Sequence, residues 1–176
     1  MIKITLVLTV ILFASCSFDY GDGDGTARER PDIVMENLTY VRVRSGDPVA
    51  RFVADRAERF EHRQRMEISR FTFEQFGQNE NEVNAQGRAG AASVETDSGN
   101  IRMRNWVRID VETEDFIIET YRLDWRDRDR ELLSGADEEV IITRSDDTIV
   151  RGYGFRADAR TREWEFAGGA RGRYYE

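Results

Sequence analysis

Alternation of apolar and charged residues recurs along most of this 176-residue chain, and it limits the possible folds more than any other feature. Val41 and Val43 alternate with Arg42 and Arg44, Phe71 and Phe73 with Thr72 and Glu74, and Val107, Ile109 and Val111 with Arg108 and Asp110. The same pattern returns at Tyr121, Leu123 and Trp125 against Arg122 and Asp124, and at Tyr153, Phe155 and Ala157 against Gly154, Arg156 and Asp158. A period of two sends successive side chains to opposite faces of an extended strand, so each stretch has an apolar face and a polar one. Turn signals separate the stretches: Ser45-Gly46-Asp47-Pro48, Gln78-Asn79-Glu80-Asn81, Asp97-Ser98-Gly99-Asn100, Ser134-Gly135, Ser145-Asp146-Asp147 and Gly168-Gly169. Only residues 54–66 admit a helical reading, and the Arg and Glu scattered through them leave a poor apolar stripe. The expectation is an all-β chain of antiparallel strands in a sandwich.

A weak repeat strengthens this. Val107 and Ile109 align with Val140 and Ile142 about 33 residues on, and Tyr121-Arg122-Leu123-Asp124 aligns loosely with Phe155-Arg156-Ala157-Asp158. Repeated strand pairs suggest a sheet grown by stacking equivalent hairpins, which leaves an open edge at each end.

The N-terminus carries a different signal. Lys3 precedes the apolar run 4–13, and Ala14 and Ser15 lead into Cys16, the only cysteine. A charged start, a short apolar run and small residues before a cysteine read as a lipoprotein signal peptide over 1–15, with Cys16 the acylated residue. The run is about half the roughly 18 residues that a membrane span requires. Three residues before the cysteine stands Phe13 where Leu is usual, and an ordinary cleaved leader with a free Cys16 is the alternative. Residues 16–31, polar and glycine-rich, read as a tether, leaving 32–176 as one folded domain. Asp22-Gly23-Asp24-Gly25 superficially resembles a calcium loop, but Ile33 stands where the bidentate Glu belongs, so no metal is expected.

Composition excludes several function classes. Acidic residues outnumber basic ones, 34 to 26, for a formal net charge of -8, which argues against nucleic acid as a partner. His62, the only histidine, lies in the polar run Glu61-His62-Arg63-Gln64-Arg65, an ordinary solvated setting. The carboxylates of Asp110-Val111-Glu112-Thr113-Glu114-Asp115 read as a hairpin tip, and no nucleophile elbow, Cys-His pair or metal-ligand spacing occurs. No enzymatic activity and no cofactor are expected.

The segments Glu119-Thr120-Tyr121-Arg122-Leu123-Asp124-Trp125, Leu132-Leu133-Ser134, Val140-Ile141-Ile142 and Ile149 through Asp158 together resemble the C-terminal half of the LptC family. The most specific part is Gly152-Tyr153-Gly154-Phe155-Arg156-Ala157-Asp158, with Gly152, Gly154, Phe155, Ala157 and Asp158 as its motif positions. Asn37-Leu38-Thr39-Tyr40 and Phe52-Val53-Ala54-Asp55 match the family's opening strands more loosely. The resemblance implies an open, twisted β-jellyroll whose sheets face each other over an apolar groove for acyl chains. It also implies a non-enzymatic carrier of lipopolysaccharide or a related acylated glycolipid. Lipid would come from an inner-membrane ABC transporter and pass to a periplasmic bridge protein of the same fold. Well-known members hold the membrane with an N-terminal helix, whereas this chain has Cys16, so the expected place is the periplasmic side of the envelope, at the inner membrane rather than the outer.

Groove candidates come from the apolar faces: Phe71, Phe73, Trp106, Tyr121, Leu123, Trp125, Tyr153, Phe155, Trp164 and Phe166. The same residues could instead fill the core of a closed sandwich. Gly152 and Gly154 either admit a close neighbour or mark a bulge. A scaffold lipoprotein that binds partners through its sheet edges is the alternative function.

Overall fold

The computed structural model describes residues 30–77 and 82–173. The segment expected to be a signal peptide, Cys16, nearly all of the expected tether, the turn signal 78–81 and Tyr174 lie outside the described residues. The chain is all-β. Its strands are β1 (Ile33–Arg44), β2 (Asp47–Phe60), β3 (Arg65–Phe76), β4 (Val83–Glu95), β5 (Ile101–Val111), β6 (Phe116–Arg126), β7 (Glu131–Leu133), β8 (Glu139–Arg144), β9 (Ile149–Tyr153), β10 (Phe155–Asp158), β11 (Glu163–Phe166) and β12 (Ala170–Arg173). All belong to one antiparallel sheet, and consecutive strands from β1 to β7 are neighbours. Residues 54–66 complete β2 and turn through a single 3-10 turn, Glu61–Arg63, into β3.

The six long strands share a device that period-two alternation does not contain. Each bends at a common crease, where in five of them two successive residues turn away from the core and the inward positions change parity, while in β5 three residues, Arg104, Asn105 and Trp106, separate buried Met103 from Val107. In β2 the buried Ala54 and Ala57 flank exposed Asp55 and Arg56. In β3 Ile68 and Phe71 flank Ser69 and Arg70, and in β6 Thr120 and Leu123 flank Tyr121 and Arg122. Pairing skips one position here, passing from Arg56↔Ser69 to Ala54↔Phe71 and from Ser69↔Ala91 to Phe71↔Ala89. Further along the crease the register itself shifts, between Arg88 and Ala91 and between Arg104 and Val107. Asn37 (φ 53°), Arg70 (46°), Asn105 (62°) and Trp106 (65°) are left-handed at this line. Left-handed backbone inside a strand breaks the pleat and rotates the second half of the strand against the first, so the same concave face stays inward on both sides of the bend.

The crease divides the sheet into an upper layer, containing 38–44, 47–54, 71–76, 83–89 and 107–111, and a lower layer, containing 33–36, 56–60, 65–69, 91–95 and 101–104. At β6 the two part company. Its first half pairs with β8 (Thr120↔Val140) and its second with β7 (Asp124↔Leu133). Beyond it, β8, β9 and β12 extend the upper layer and β7, β10 and β11 the lower one. The chain crosses the crease three more times, from β7 to β8, β9 to β10 and β11 to β12, so the described strands form a meander of creased hairpins. Ser134 ties two crossings together: its N–H donates to the Phe155 carbonyl (2.9 Å) and its Oγ accepts from the Phe155 N–H (2.8 Å).

The weak repeat is a pair of equivalent creased hairpins, but offset from the alignment drawn on sequence. Val107 and Val140 are each the first inward residue of the upper layer, as aligned. The partner of Phe155, however, is Leu123 rather than Tyr121, because each is the first buried residue after a crossing. Outward faces carry paired charges in register, among them Arg51 with Glu74 (3.2 Å) and Arg108 with Glu119 (2.7 Å). Such exposed pairs contribute about 0–1 kcal/mol each.

Candidate functional site

The inward faces of both layers form one continuous apolar cluster, which is the candidate site. Its middle is aliphatic and fully covered: Ala89, Met103, Val107, Ile109, Ile118, Leu123, Val140 and Ile142 are all buried. Aromatic rings collect at its two ends. At the β1 end Tyr40, Phe52, Phe71 and Phe73 form a ladder with centroid separations of 5.9, 5.8 and 5.9 Å. At the far end Phe155 lies 5.5 Å from Phe166 and 6.4 Å from Trp164, which also meets Phe116 of the upper layer at 6.4 Å.

The sequence-derived candidates divide along the crease. Phe71, Leu123 and Phe155 are buried in the cluster; Phe73, Trp164 and Phe166 are half-buried against it. Trp125 is half-buried near a lower hairpin, where its indole N–H donates to Asp127 (3.3 Å) and the Arg130 guanidinium covers its ring at 5.0 Å. Three expectations are corrected. Tyr121, Tyr153 and Trp106 stand outside the cluster, 52%, 42% and 77% exposed. For Tyr121 the reason is the parity change at Tyr121-Arg122, and for Trp106 it is the left-handed pair Asn105-Trp106. Gly154 reverses the face between Tyr153 and Phe155 in the same way. The two outward rings of the crease meet edge to face at 6.0 Å, and Tyr121 bonds through its hydroxyl to the Asn105 side chain (3.1 Å). Val41 and Val43 are also exposed: Val41 stands opposite the outward Arg51, and β1 is an edge strand among the described residues. Tyr40, Phe52 and Phe116 belong to the site but were not singled out from sequence. Alternation of Phe52 with Ala54 was their clearest available sign.

Each position of the Gly-x-Gly-Phe-x-Ala-Asp run has a structural task. Gly152 faces inward beneath the Phe166 ring, where a Cβ would come within 2.6 Å of ring carbons. Gly154 (φ 63°) is the crossing residue between layers, a conformation that costs other residues roughly 1–2 kcal/mol. Phe155 then enters the core with 1% exposure, and Ala157 packs between Leu132 and Trp164. Asp158 organises the hairpin to β11, accepting from the N–H of Arg160 (2.7 Å) and of Thr161 (3.4 Å). The Arg160 side chain, together with these backbone donors, holds the Asp158 carboxyl down at about 2. Between β10 and β7, Arg156 pairs with the nearly buried Glu131, whose hydrogen bond raises the guanidinium pKa.

Two shallow depressions lie elsewhere, on the outer face of the upper layer. One of about 470 Å³ is bordered by Arg51, Thr72, Arg88 and Asp110, and one of about 410 Å³ by Ile149, Arg151, Arg171 and Arg173. His62 stands exposed in the 3-10 turn, its Nε2 accepting from Arg63 (3.1 Å). Among the described residues, no group of three or more His, Cys, Asp or Glu side chains could hold a metal ion, and no helix is long and apolar enough to cross a membrane.

What the arrangement offers is an extended apolar surface between two layers that are joined at one side by the crease and bounded at both ends, among the described residues, by strand edges without a neighbour. Comparison with curated protein sequences gives no match. The family model for lipopolysaccharide-assembly, LptC-related proteins matches residues 3–176. With nearly the whole chain matched and an open all-β sheet folded over an apolar face, the chain belongs to the LptC family and has a role in lipopolysaccharide transport.

Proposed function

We propose that this protein is a periplasmic carrier that receives lipopolysaccharide or a related glycolipid from an inner-membrane ABC transporter and passes it to a bridge protein of the same fold. The observation that carries this reading is the apolar inner face, which runs from Met35 and Leu38 of β1 to Val150 of β9 and to Trp164 and Phe166 of β11. Acyl chains are recognised by apolar area alone, and an apolar lane that ends at open edges lets them move without meeting water. Unpaired backbone groups at those edges can be satisfied by a strand from a neighbour, which would align one lane with the next. The transporter would join at β1 and the bridge protein at the β11–β12 end.

Photocrosslinking in cells tests the lane. A photoreactive residue at Phe52 or Phe73, whose half-buried rings lie on the inner face, should capture lipid, while one at Tyr121 or Arg156 should not. Equal yields from the two sets would overturn the carrier reading. Anchoring is tested apart from it. Acylated Cys16 would hold the body to the membrane, since acyl burial contributes about 0.8 kcal/mol per methylene. Cys16→Ala should therefore move the protein to the soluble fraction with its circular dichroism unchanged, and retention in the membrane pellet after a high-salt wash would remove the lipid anchor from the proposal.

A further inference from the structure

Where arginines stand directly opposite each other on neighbouring strands of this sheet, acid neutralises at least one of the two, except at one place. Three pairs of arginines lie directly opposite each other on neighbouring strands: Arg88 and Arg108, Arg104 and Arg122, and Arg151 and Arg171. In the first, Glu119 neutralises Arg108 at 2.7 Å. In the second, Glu67 and Asp124 neutralise both members, each at 3.5 Å. In the third, among the described residues, neither Arg151 nor Arg171 has an acidic partner. Like charges directly opposed on a strand pair oppose pairing. They persist here in a chain whose acidic residues outnumber its basic ones.

The pair stands over a depression of about 410 Å³ with Ile149, Gly172 and Arg173 on its border. Arg173 lies two residues along β12 from Arg171 and so shares its face. Protection of a free edge against self-association accounts for arginines on β12, which is the edge, but not for Arg151, which lies one strand in on β9. Two guanidinium forks side by side suit a compact, multiply charged oxyanion, and a phosphate accepts from both at once.

We infer that Arg151 and Arg171 form an anion site for a phosphate group on the headgroup of the transported lipid. Gly152, beside Arg151, faces the apolar interior, and β12 is the last strand of the upper layer. A headgroup whose chains lie against the inner face therefore has only the width of this rim to cross, about 5 Å per strand, to reach the arginines. The assignment to cargo rests on the carrier reading; the anion site itself does not.

The test uses the full chain in detergent, as wild type and as the double variant Arg151→Gln with Arg171→Gln. Binding is measured to lipopolysaccharide and to lipopolysaccharide stripped of phosphate by alkaline phosphatase. The variant should lose about tenfold or more in affinity for the first, the scale of lost charge-assisted hydrogen bonds, and nothing for the second. Equal binding of lipopolysaccharide by both proteins, or an equal loss for both lipids, overturns the inference. If neither lipid binds wild type, the carrier reading fails, and inorganic pyrophosphate decides the anion site: titration should shift the Arg151 and Arg171 Nε–H resonances, and no shift overturns it. Phosphatidylglycerol vesicles separate the sources, because loss of vesicle binding with lipopolysaccharide binding intact would assign the arginines to the bilayer surface and overturn the cargo assignment. Neutralising a like-charged pair should leave the melting temperature equal or higher. A clear fall would make the arginines structural and overturn the site.

Discussion

The two ends of the apolar lane are built from the same kind of residue and closed to different degrees. At the β1 end the aromatic ladder fades into solvent: Phe71 is buried, Phe52 half-buried and Tyr40 exposed. At the other end the sheet has split into two short wings, and Phe155 is enclosed between them, with Trp164 and Phe166 on the lower wing and Gly152 on the upper. The difference comes from topology rather than composition. β1 is a single creased strand and the edge of the sheet among the described residues, whereas three further crossings stack up beyond β6 and bring both layers back over one ring. An aromatic residue therefore acts as exposed binding surface at one end and as core at the other.

Substituting the rings should break this symmetry most visibly. Phe155→Ala removes a fully enclosed ring and should cost about 3–5 kcal/mol in unfolding free energy. Phe52→Ala, whose ring is already partly in water, should cost about 1–2 kcal/mol. Chemical denaturation of the two variants compares them directly, and equal losses would mean that the β1 end is as closed as the other.

A smaller effect sharpens how the closed end is held shut. Gly152→Ala places a methyl group where Phe166 ring carbons already stand, at 2.6 Å, so the wings must part or the ring must turn. Overpacking of this kind costs about 1–3 kcal/mol. The cost should shrink when Phe166→Leu is added, since a smaller side chain frees the space, and a double-mutant cycle reads the coupling. Strict additivity would show that Gly152 and Phe166 do not press on each other in solution. The contact matters because it sets how tightly the upper wing lies on the lower one where the lane ends.

Strand identity and the all-β class were legible because alternation is a local property, and within each half of a strand it holds. Phe71 and Phe73 share a face as their spacing requires, as do Val107 and Ile109. The crease was not legible. Arg70 and Trp106 adopt left-handed backbone with side chains that give no hint of it, and only Asn37, Asn105 and Gly154 are residue types that favour it. Carrying the period across the bend therefore placed Tyr121 with Leu123 when the two face opposite ways. Gly152 and Gly154 were recognised as special from sequence, yet which was the close contact and which the bend depended on Phe166, a residue 14 positions after Gly152 and brought back by a hairpin. Leu123 and Phe155, which lie on one side of the crease, face inward as alternation requires, and the candidates that face outward sit on the crease itself.

The hairpin that returns Phe166 to Gly152 begins at Asp158, and here the expected effect is the smallest and depends on pH. Hydrogen bonds from Arg160, through its side chain and backbone N–H, and from the Thr161 N–H lower the Asp158 carboxyl from its ordinary 3.8 to about 2. A carboxyl whose pKa is lower in the folded state binds protons more readily when unfolded, so it adds stability above the ordinary value. That contribution falls away as pH drops from about 4 to about 2. The carboxyl is only half-buried and water screens its charge, so the gain is modest. Asp158→Asn keeps the size of the side chain and removes the charge, and should melt slightly below wild type at pH 7. The two melting temperatures should converge across that acid window, since protonation turns wild type into a close equivalent of the variant. A gap that stays constant down to pH 2 would show that the shape of the side chain, and not its charge, holds this hairpin. No gap at any pH would mean that Phe166 is kept over Gly152 by ring packing alone.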